Sequence, residues 1–314
     1  MQTKLPKIVV VGAGAVGCYF GGMLAANGFP VSFIARDSQL ESLNKIGVEI
    51  VFTTGIQTYP VKASSDYETL RDASLVLVAV KTQSTLQTAQ EIAPFLKSDA
   101  IVLSLQNGID NIALLKNSIA QACYPAMVYA AIAMNGPNQV IHNGGGSLII
   151  GNTLATQDEE HLGPIAEMFS FANIPTTVSQ KMLEDMWSKF MVNLAYNGLS
   201  AIGMSNYATL AKSPGINEVI DAIVAEAIAV AKAENIYLDP EKITALIKNV
   251  PIHWPNQKSS TAQDLMKGKA TEIDFLNGSI VAKGKLHNIA TPTNALIYSL
   301  IKMREYTQGN FQII

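Results

Sequence analysis

Three glycines behind a short apolar run constrain this chain more than anything else in it. Lys7-Ile-Val-Val-Val11 leads directly into Gly12-Ala13-Gly14-Ala15-Val16-Gly17, and a second apolar run spans Pro30 to Ala35. A strand, a G-x-G-x-x-G turn, a helix and a second strand, in that order, make the form of a dinucleotide-binding βαβ unit. Gly12 allows the tight turn, Gly14 lets the backbone approach a pyrophosphate, and Gly17 lets the helix pack close to the strand. Phosphates would then meet free N–H groups at a helix N-terminus, where the dipole favours anions. The whole loop, with Ala13, Ala15 and Val16 between the glycines, is the expected cofactor cradle.

The end of the second strand bears on which dinucleotide. An NAD site usually carries Asp or Glu there, on the ribose hydroxyls. Here the strand ends Phe33-Ile34-Ala35-Arg36. Ala35 offers no carboxylate, and the Arg36 guanidinium suits a 2′-phosphate. NADP is the expected cofactor. Asp37 follows, either as a cap for the next helix or, turned inwards, as a carboxylate that would admit NAD.

No charged residue occurs from Ile8 to Ala35, a run long enough to imitate a membrane span. Its six glycines, with Asn27 and Pro30, fit the G-x-G-x-x-G reading instead. The chain is expected to be soluble and cytoplasmic. With 314 residues it has room for two domains. Net charge is −3 and the lysines are scattered, so a nucleic-acid surface is not expected. Cys18 and Cys123 are far apart, and His142, His161, His253 and His287 form no H-x-x-x-H pair. Neither a disulfide framework nor a metal site is expected.

Strand and helix patterns alternate beyond residue 36. Short strands are expected at Val48 to Phe52 and Tyr59 to Val61, and a buried parallel strand at Ser74 to Val80. A helix follows to about Leu96, then a strand from Ala100 to Leu105. Lys81, Gln106 and Asn107 follow strand carboxyl ends, the edge that faces the ligand in open α/β sheets. Val128 to Met134, Gln139 to His142 and Ser147 to Gly151 read as an antiparallel extension. A helix from about Glu159 to Ala172 and a last strand at Thr176 to Val178 complete this half. Beyond Lys181 only helical patterns occur: Leu183 to Gly203, Gly215 to Glu234, Pro240 to Ile247, Thr271 to His287, and one after Pro292. The expected fold is α/β, an N-terminal Rossmann-type doubly wound sheet over residues 1–180 followed by an all-helical C-terminal domain over 181–314.

The first of those helices carries a polar stripe. Lys189, Asn193 and Asn197 are spaced i, i+4, i+8 among Phe190, Met191, Val192, Leu194 and Ala195. Such groups are costly to bury without partners. They could wall a cleft for a small polar substrate or hydrogen-bond loop carbonyls. A lysine whose pKa is lowered by burial can act as a general acid. Further on, Thr271 and Asp274 have the spacing of a capping box, which would put Glu272 in a first helical turn.

These motifs resemble the ketopantoate reductase family over nearly the full length. The likeness rests on GAGAVG from Gly12, Arg36, VAVK ending at Lys81, QNG from Gln106, VIHNGGGSLIIG from Val140, W-S-K-x-x-x-N-x-x-x-N from Trp187, S-S-x-x-Q-D from Ser259 and T-E-I-D-x-L-N-G from Thr271. The resemblance implies NADPH-dependent reduction of a 2-oxoacid ketone. It implies that Lys189 protonates the ketone oxygen and that Glu272 orients the substrate through its hydroxyl. Asn193, Asn197 and Ser260 would bind substrate, and Asn107 would bridge cofactor and substrate. Arg36 and Lys81 would meet the 2′-phosphate and adenosine side. Thr261 departs from the methionine common in the family, and the amide around Asn256-Gln257-Lys258 has no secure counterpart; both bear on fine substrate contacts. A reductase of another 2-oxoacid, an opine-type dehydrogenase and a non-catalytic NADP sensor are the alternatives. A homodimer is compatible with all of them.

Overall fold

The computed structural model describes residues 5–154 and 160–308. The chain divides into two compact units, Met1–Met182 and Leu183–Ile314.

The first unit opens with β1 (Ile8–Val11), α1 (Ala15–Ala26), β2 (Val31–Ile34), α2 (Asp37–Lys45), β3 (Val48–Phe52), β4 (Gly55–Tyr59) and β5 (Lys62–Ser64). There follow β6 (Leu75–Val78), α3 (Thr85–Ile92), β7 (Ile101–Ser104), α4 (Asn111–Lys116), β8 (Ala122–Met134), β9 (Gln139–Gly151), α5 (Leu162–Phe171) and β10 (Thr176–Ser179). The strands form one sheet in the order β4-β3-β9-β8-β7-β6-β1-β2-β5, with β10 also on β9. β1 lies between β2 and β6, parallel to both, with Ile8 opposite Val31 and Leu75. Its period-two alternation divides the core. Ile8 and Val10 pack with Phe20, Leu24 and Phe33, whereas Val9 and Val11 pack with Ala89, Ile92 and Leu115. Apolar side chains on both faces of one strand are what a doubly wound sheet requires. The uncharged run from Ile8 to Ala35 is thus strand, helix and strand. Among the described residues no helix is long and apolar enough to cross a membrane.

Several expectations are corrected. Tyr59 to Val61 is not a strand: β4 ends at Tyr59, Pro60 intervenes, and β5 begins at Lys62. Pro60 lacks the N–H a ladder needs. Gln139 to His142 and Ser147 to Gly151 are not separate strands but the two ends of β9, which continues through Gly144, Gly145 and Gly146. All three have positive φ, and the register with β8 shifts between Tyr129 and Ala130 and between Ala131 and Ile132. Glycines that read as turn punctuation are here bulge positions. Asp37 does not cap α2; Arg36 holds the N-cap position and Asp37 is the first helical residue, with φ of 48°. The expected helix start at Glu159 lies outside the described residues.

The second unit is helical: α6 (Met182–Ile202), α7 (Tyr207–Ala211), α8 (Ile216–Ala233), α9 (Pro240–His253), α10 (Ser260–Met266), α11 (Asn277–Leu286) and α12 (Pro292–Thr307). α7 and α10 had no helical pattern of their own in the sequence; their starts are fixed by Asn206 on Thr209 N–H and Ser259 on Ala262 N–H. α9 runs past Ile247 despite Pro251. A proline cannot donate to the carbonyl four residues back. The Tyr196 hydroxyl donates to that Ile247 carbonyl instead, at 3.0 Å. Thr271 to His287 is not one helix: a 3-10 turn at Ile273–Phe275 precedes α11, with Leu276 between them at φ −109°, ψ −108°.

Candidate functional site

The glycine loop in the first unit fits a dinucleotide position by position. Gly12 has φ of 106°, and a Cβ there would come within 2.8 Å of Ala79 C and Val80 N. A Cβ at Gly17 would be 2.0 Å from the Gly12 carbonyl oxygen, so α1 can approach β1 this closely only with glycine. Gly14 is the opposite case. A Cβ there meets nothing within 4 Å, so its small size leaves room for something outside the protein backbone. Gly14 is the N-cap of α1 and supplies no side-chain cap. The first intrahelical bond runs from Cys18 N–H to Gly14 O, which leaves the N–H groups before it for a ligand. The Gln39 amide donates to Ala13 O at 2.5 Å and fixes the loop from α2.

Beside the loop lies a cavity of about 230 Å³ lined by Val11, Gly12, Ala13, Arg36, Tyr67 and Glu91 among others. Arg36 therefore stands where the sequence placed it, at the end of β2 and facing the cleft. Its guanidinium Nη2 donates to the Tyr67 hydroxyl at 3.2 Å and to Glu91 Oε2 at 3.3 Å. Tyr67 in turn donates to Glu91 Oε2, and Gln87 donates to Glu91 Oε1 at 2.8 Å. The hydrogen bond from Tyr67 is the main cause that holds the Glu91 carboxyl below its ordinary pKa, so it is ionised at neutral pH. Tyr67 and Glu91 carry no motif, and nothing in the sequence set them beside Arg36.

Lys81 follows β6 and is the N-cap of a 3-10 turn, exposed and not among the residues that line this cavity. Gln106 is placed differently from expectation. Its amide nitrogen donates to Val80 O at 2.9 Å and Thr85 Oγ1 at 2.6 Å, and its oxygen accepts from Ser104 Oγ at 2.9 Å. The side chain clamps the ends of β6 and β7 rather than being held out for a cofactor. Asn107 is exposed, and its carbonyl accepts from Asn111 Nδ2 at 2.6 Å. Asn111 also accepts from Thr85 Oγ1 at 2.9 Å. Buried Thr85 and Asn111 thus shape the Gln106–Gly108 loop, a role that only spatial proximity reveals.

In the second unit, α6 carries Lys189 and Asn193 half-buried and Asn197 buried. Burial lowers the Lys189 ammonium from 10.5 to about 8. Asn197 O accepts from Ser259 Oγ at 3.3 Å, and Ser200 Oγ donates to Ser259 Oγ at 2.6 Å. These bonds seat the start of α10 against the turn of α6 that holds Asn197. Ser259 is the buried member of the serine pair and Ser260 is exposed. Glu272, half-buried, stands before the 3-10 turn. The expected capping box is not formed. Thr271 donates through N–H and Oγ1 to Glu305 Oε1 at 2.8 and 2.7 Å, and Asp274 pairs with Lys302 at 2.9 Å and Tyr298 at 2.8 Å. Buried Glu305 on α12 thus anchors the residue before Glu272, where a helix dipole was expected to act.

Among the described residues no three His, Cys, Asp or Glu side chains gather as a metal would need. His142 stacks on Tyr19 with centroids 4.9 Å apart, and His287 pairs with Glu234 at 2.5 Å. Burial raises the Cys18 thiol to about 12, so it is a packed apolar group rather than a nucleophile.

Residues 8–154 match the family model for ketopantoate reductase PanE/ApbA, and residues 181–305 match that for its C-terminal part. The chain belongs to this family. A 2-dehydropantoate 2-reductase of Pyrococcus abyssi is 30% identical over 309 residues, covering 96% of this chain and 99% of its own. The crystal structure of a PanE/ApbA family ketopantoate reductase from Ralstonia eutropha JMP134 superposes with a TM-score of 0.90 at 38% identity, covering 96% and 99% of the two chains. A ternary structure of D-mandelate dehydrogenase with NADH and anilino(oxo)acetate gives 0.89 at 27% identity, with the same coverage. As a family member the protein is an oxidoreductase that acts on CH–OH groups with NAD(P), and its first unit is the NAD(P)-binding Rossmann-type domain.

Proposed function

We propose that this protein uses NADPH to reduce ketopantoate to pantoate, the 2-oxoacid to 2-hydroxyacid step of pantothenate synthesis. The observation that carries the reading is Lys189, a half-buried lysine brought down to about 8 by desolvation, on one helix face with Asn193 and Asn197 in a member of this family. The coenzyme supplies the hydride. As hydride reaches the ketone carbon, negative charge develops on the oxygen, and a nearby ammonium that can also give up its proton stabilises it. Lys189 fills both roles. Asn193, Asn197 and Ser260 hold the polar groups of the oxoacid without adding charge, and Glu272 accepts a hydrogen bond from the substrate hydroxyl. Gly12 to Gly17 cradle the pyrophosphate, Arg36 meets the 2′-phosphate, and Lys81 and Asn107 contribute from the adenosine and substrate sides. Gln106 contributes by shaping the loop.

NADPH oxidation with ketopantoate tests this against a panel of pyruvate, 2-oxoisovalerate and phenylglyoxylate. A kcat/KM for ketopantoate no higher than for the rest would refute the substrate assignment. One observation favours a second reading. The Arg36 guanidinium is already paired with Glu91, and the D-mandelate dehydrogenase neighbour holds NADH. An NADH-dependent reductase of an aromatic 2-oxoacid would show its preference in the same panel.

A further inference from the structure

The pairing of Arg36 bears on how strongly the coenzyme's 2′-phosphate can be preferred, an inference that rests on the coenzyme reading above. Among the described residues that line the 230 Å³ cavity, Arg36 is the one cation and Glu91 the one anion. Its Nη2 is shared between the Tyr67 hydroxyl and Glu91 Oε2. The carboxylate is itself fixed on two sides, by Tyr67 on Oε2 and Gln87 on Oε1. It cannot swing away from the cleft without losing both bonds. The arginine side chain is 66% exposed and the glutamate 30%, so the guanidinium is the more accessible member of the pair and the carboxylate the more enclosed one.

We propose that Glu91, held by Tyr67 and Gln87, is a coenzyme-specificity residue that limits the preference Arg36 confers. A phosphate dianion that approaches Arg36 must compete with the carboxylate already there. It also brings negative charge towards a second fixed negative charge, and like charges at this range repel. A coenzyme without the 2′-phosphate meets neither cost. The charge of Glu91 therefore acts on the phosphorylated ligand selectively, and removing it should sharpen discrimination instead of merely weakening binding.

Calorimetric titration with 2′,5′-ADP and 5′-AMP tests this without turnover. In Glu91→Gln the 2′,5′-ADP dissociation constant should fall by about three- to tenfold, the scale of one exposed charge interaction, while that of 5′-AMP stays within about twofold. Tyr67→Phe, which frees one side of the carboxylate, should shift the ratio in the same direction by less. Glu91→Ala serves as a second variant, and a melting curve on each confirms the fold. Unchanged or weaker 2′,5′-ADP binding in both Glu91 variants, or equal changes for the two ligands, overturns the proposal. Arg36→Ala separates the two levels. If it abolishes a preference for 2′,5′-ADP while the Glu91 variants do nothing, only the role of Glu91 falls. If it leaves the preference intact, the assignment of the 2′-phosphate to Arg36 falls, and the counterweight with it.

Discussion

A lysine that titrates near 8 should leave a mark on the pH profile of the reaction. Burial brings Lys189 from 10.5 to about 8. Reduction needs the ammonium, so kcat/KM for the oxoacid at saturating NADPH should follow its protonated fraction. With a pKa of 8 that fraction is about nine-tenths at pH 7 and about one-tenth at pH 9, a roughly tenfold fall. An unperturbed lysine would stay about 97% protonated at pH 9 and give a flat line. The two cases separate in an ordinary absorbance assay of NADPH oxidation, run from pH 6 to 10 at constant ionic strength. Alcohol oxidation in the opposite direction should rise through the same range, because the base form is then the useful one. Lys189→Arg keeps the positive charge but cannot release a proton, so its residual activity should be low and flat. A profile flat to pH 9.5 in the parent, or a falling limb that persists in Lys189→Arg, would refute the assignment of Lys189 as the acid.

Lys189→Ala should lower turnover by ~10²–10⁴-fold and leave the NADPH dissociation constant nearly unchanged; turnover within a few-fold of the parent would move the acid elsewhere. The same lysine has a stability signature. Between about pH 8 and 10.5 the unfolded chain holds this proton and the folded chain does not, so the burial penalty present below pH 8 is relieved as pH rises. Relative to Lys189→Met, urea denaturation should show the parent gaining stability across that window; parallel curves would contradict the shift. Gly14→Ala should melt with the parent but bind NADPH more weakly, whereas Gly17→Ala should lower the melting temperature, because its Cβ would sit 2.0 Å from Gly12 O. Gly198→Ala would put a Cβ 2.2 Å from Ile297 Cγ2, an overpacking cost of roughly 1–3 kcal/mol that Ile297→Leu, which lacks that methyl, should partly recover.

The glycine loop, Arg36 and the boundary between mixed and helical halves were legible because each is written locally. A strand, a turn and a helix announce themselves within about thirty residues. The polar stripe on α6 was legible for the same reason, since its three members share one helix face. What sequence could not show depends on distant partners. Glu91 matters only because α3 places it against the end of β2. Gln106 looked available for a ligand until Thr85 and Val80 claimed its amide. Thr271 and Asp274 had capping-box spacing, but Glu305 and Lys302, some thirty residues on, are better partners than a neighbouring helix turn. The glycines of β9 misled for a different reason. A run of glycines in a bulged strand has the same look in sequence as one in a loop until the partner strand is seen.

The strand order has a consequence for synthesis. β2 and β3 are separated by a single helix in the chain, yet they lie near opposite edges of the sheet. β3 pairs with β9 on one side, and the bond from Gln139 to Glu49 spans 90 residues. On a ribosome adding ~5–20 residues per second, β3 and its hairpin partner wait roughly 5–20 s for that strand to emerge. Through that interval β3 has an unpaired edge while the central trio, β2, β1 and β6, can already assemble. The nascent protein is most exposed to wrong pairing then, and slower translation of residues 53–139 should cost soluble yield more than the same delay after residue 151.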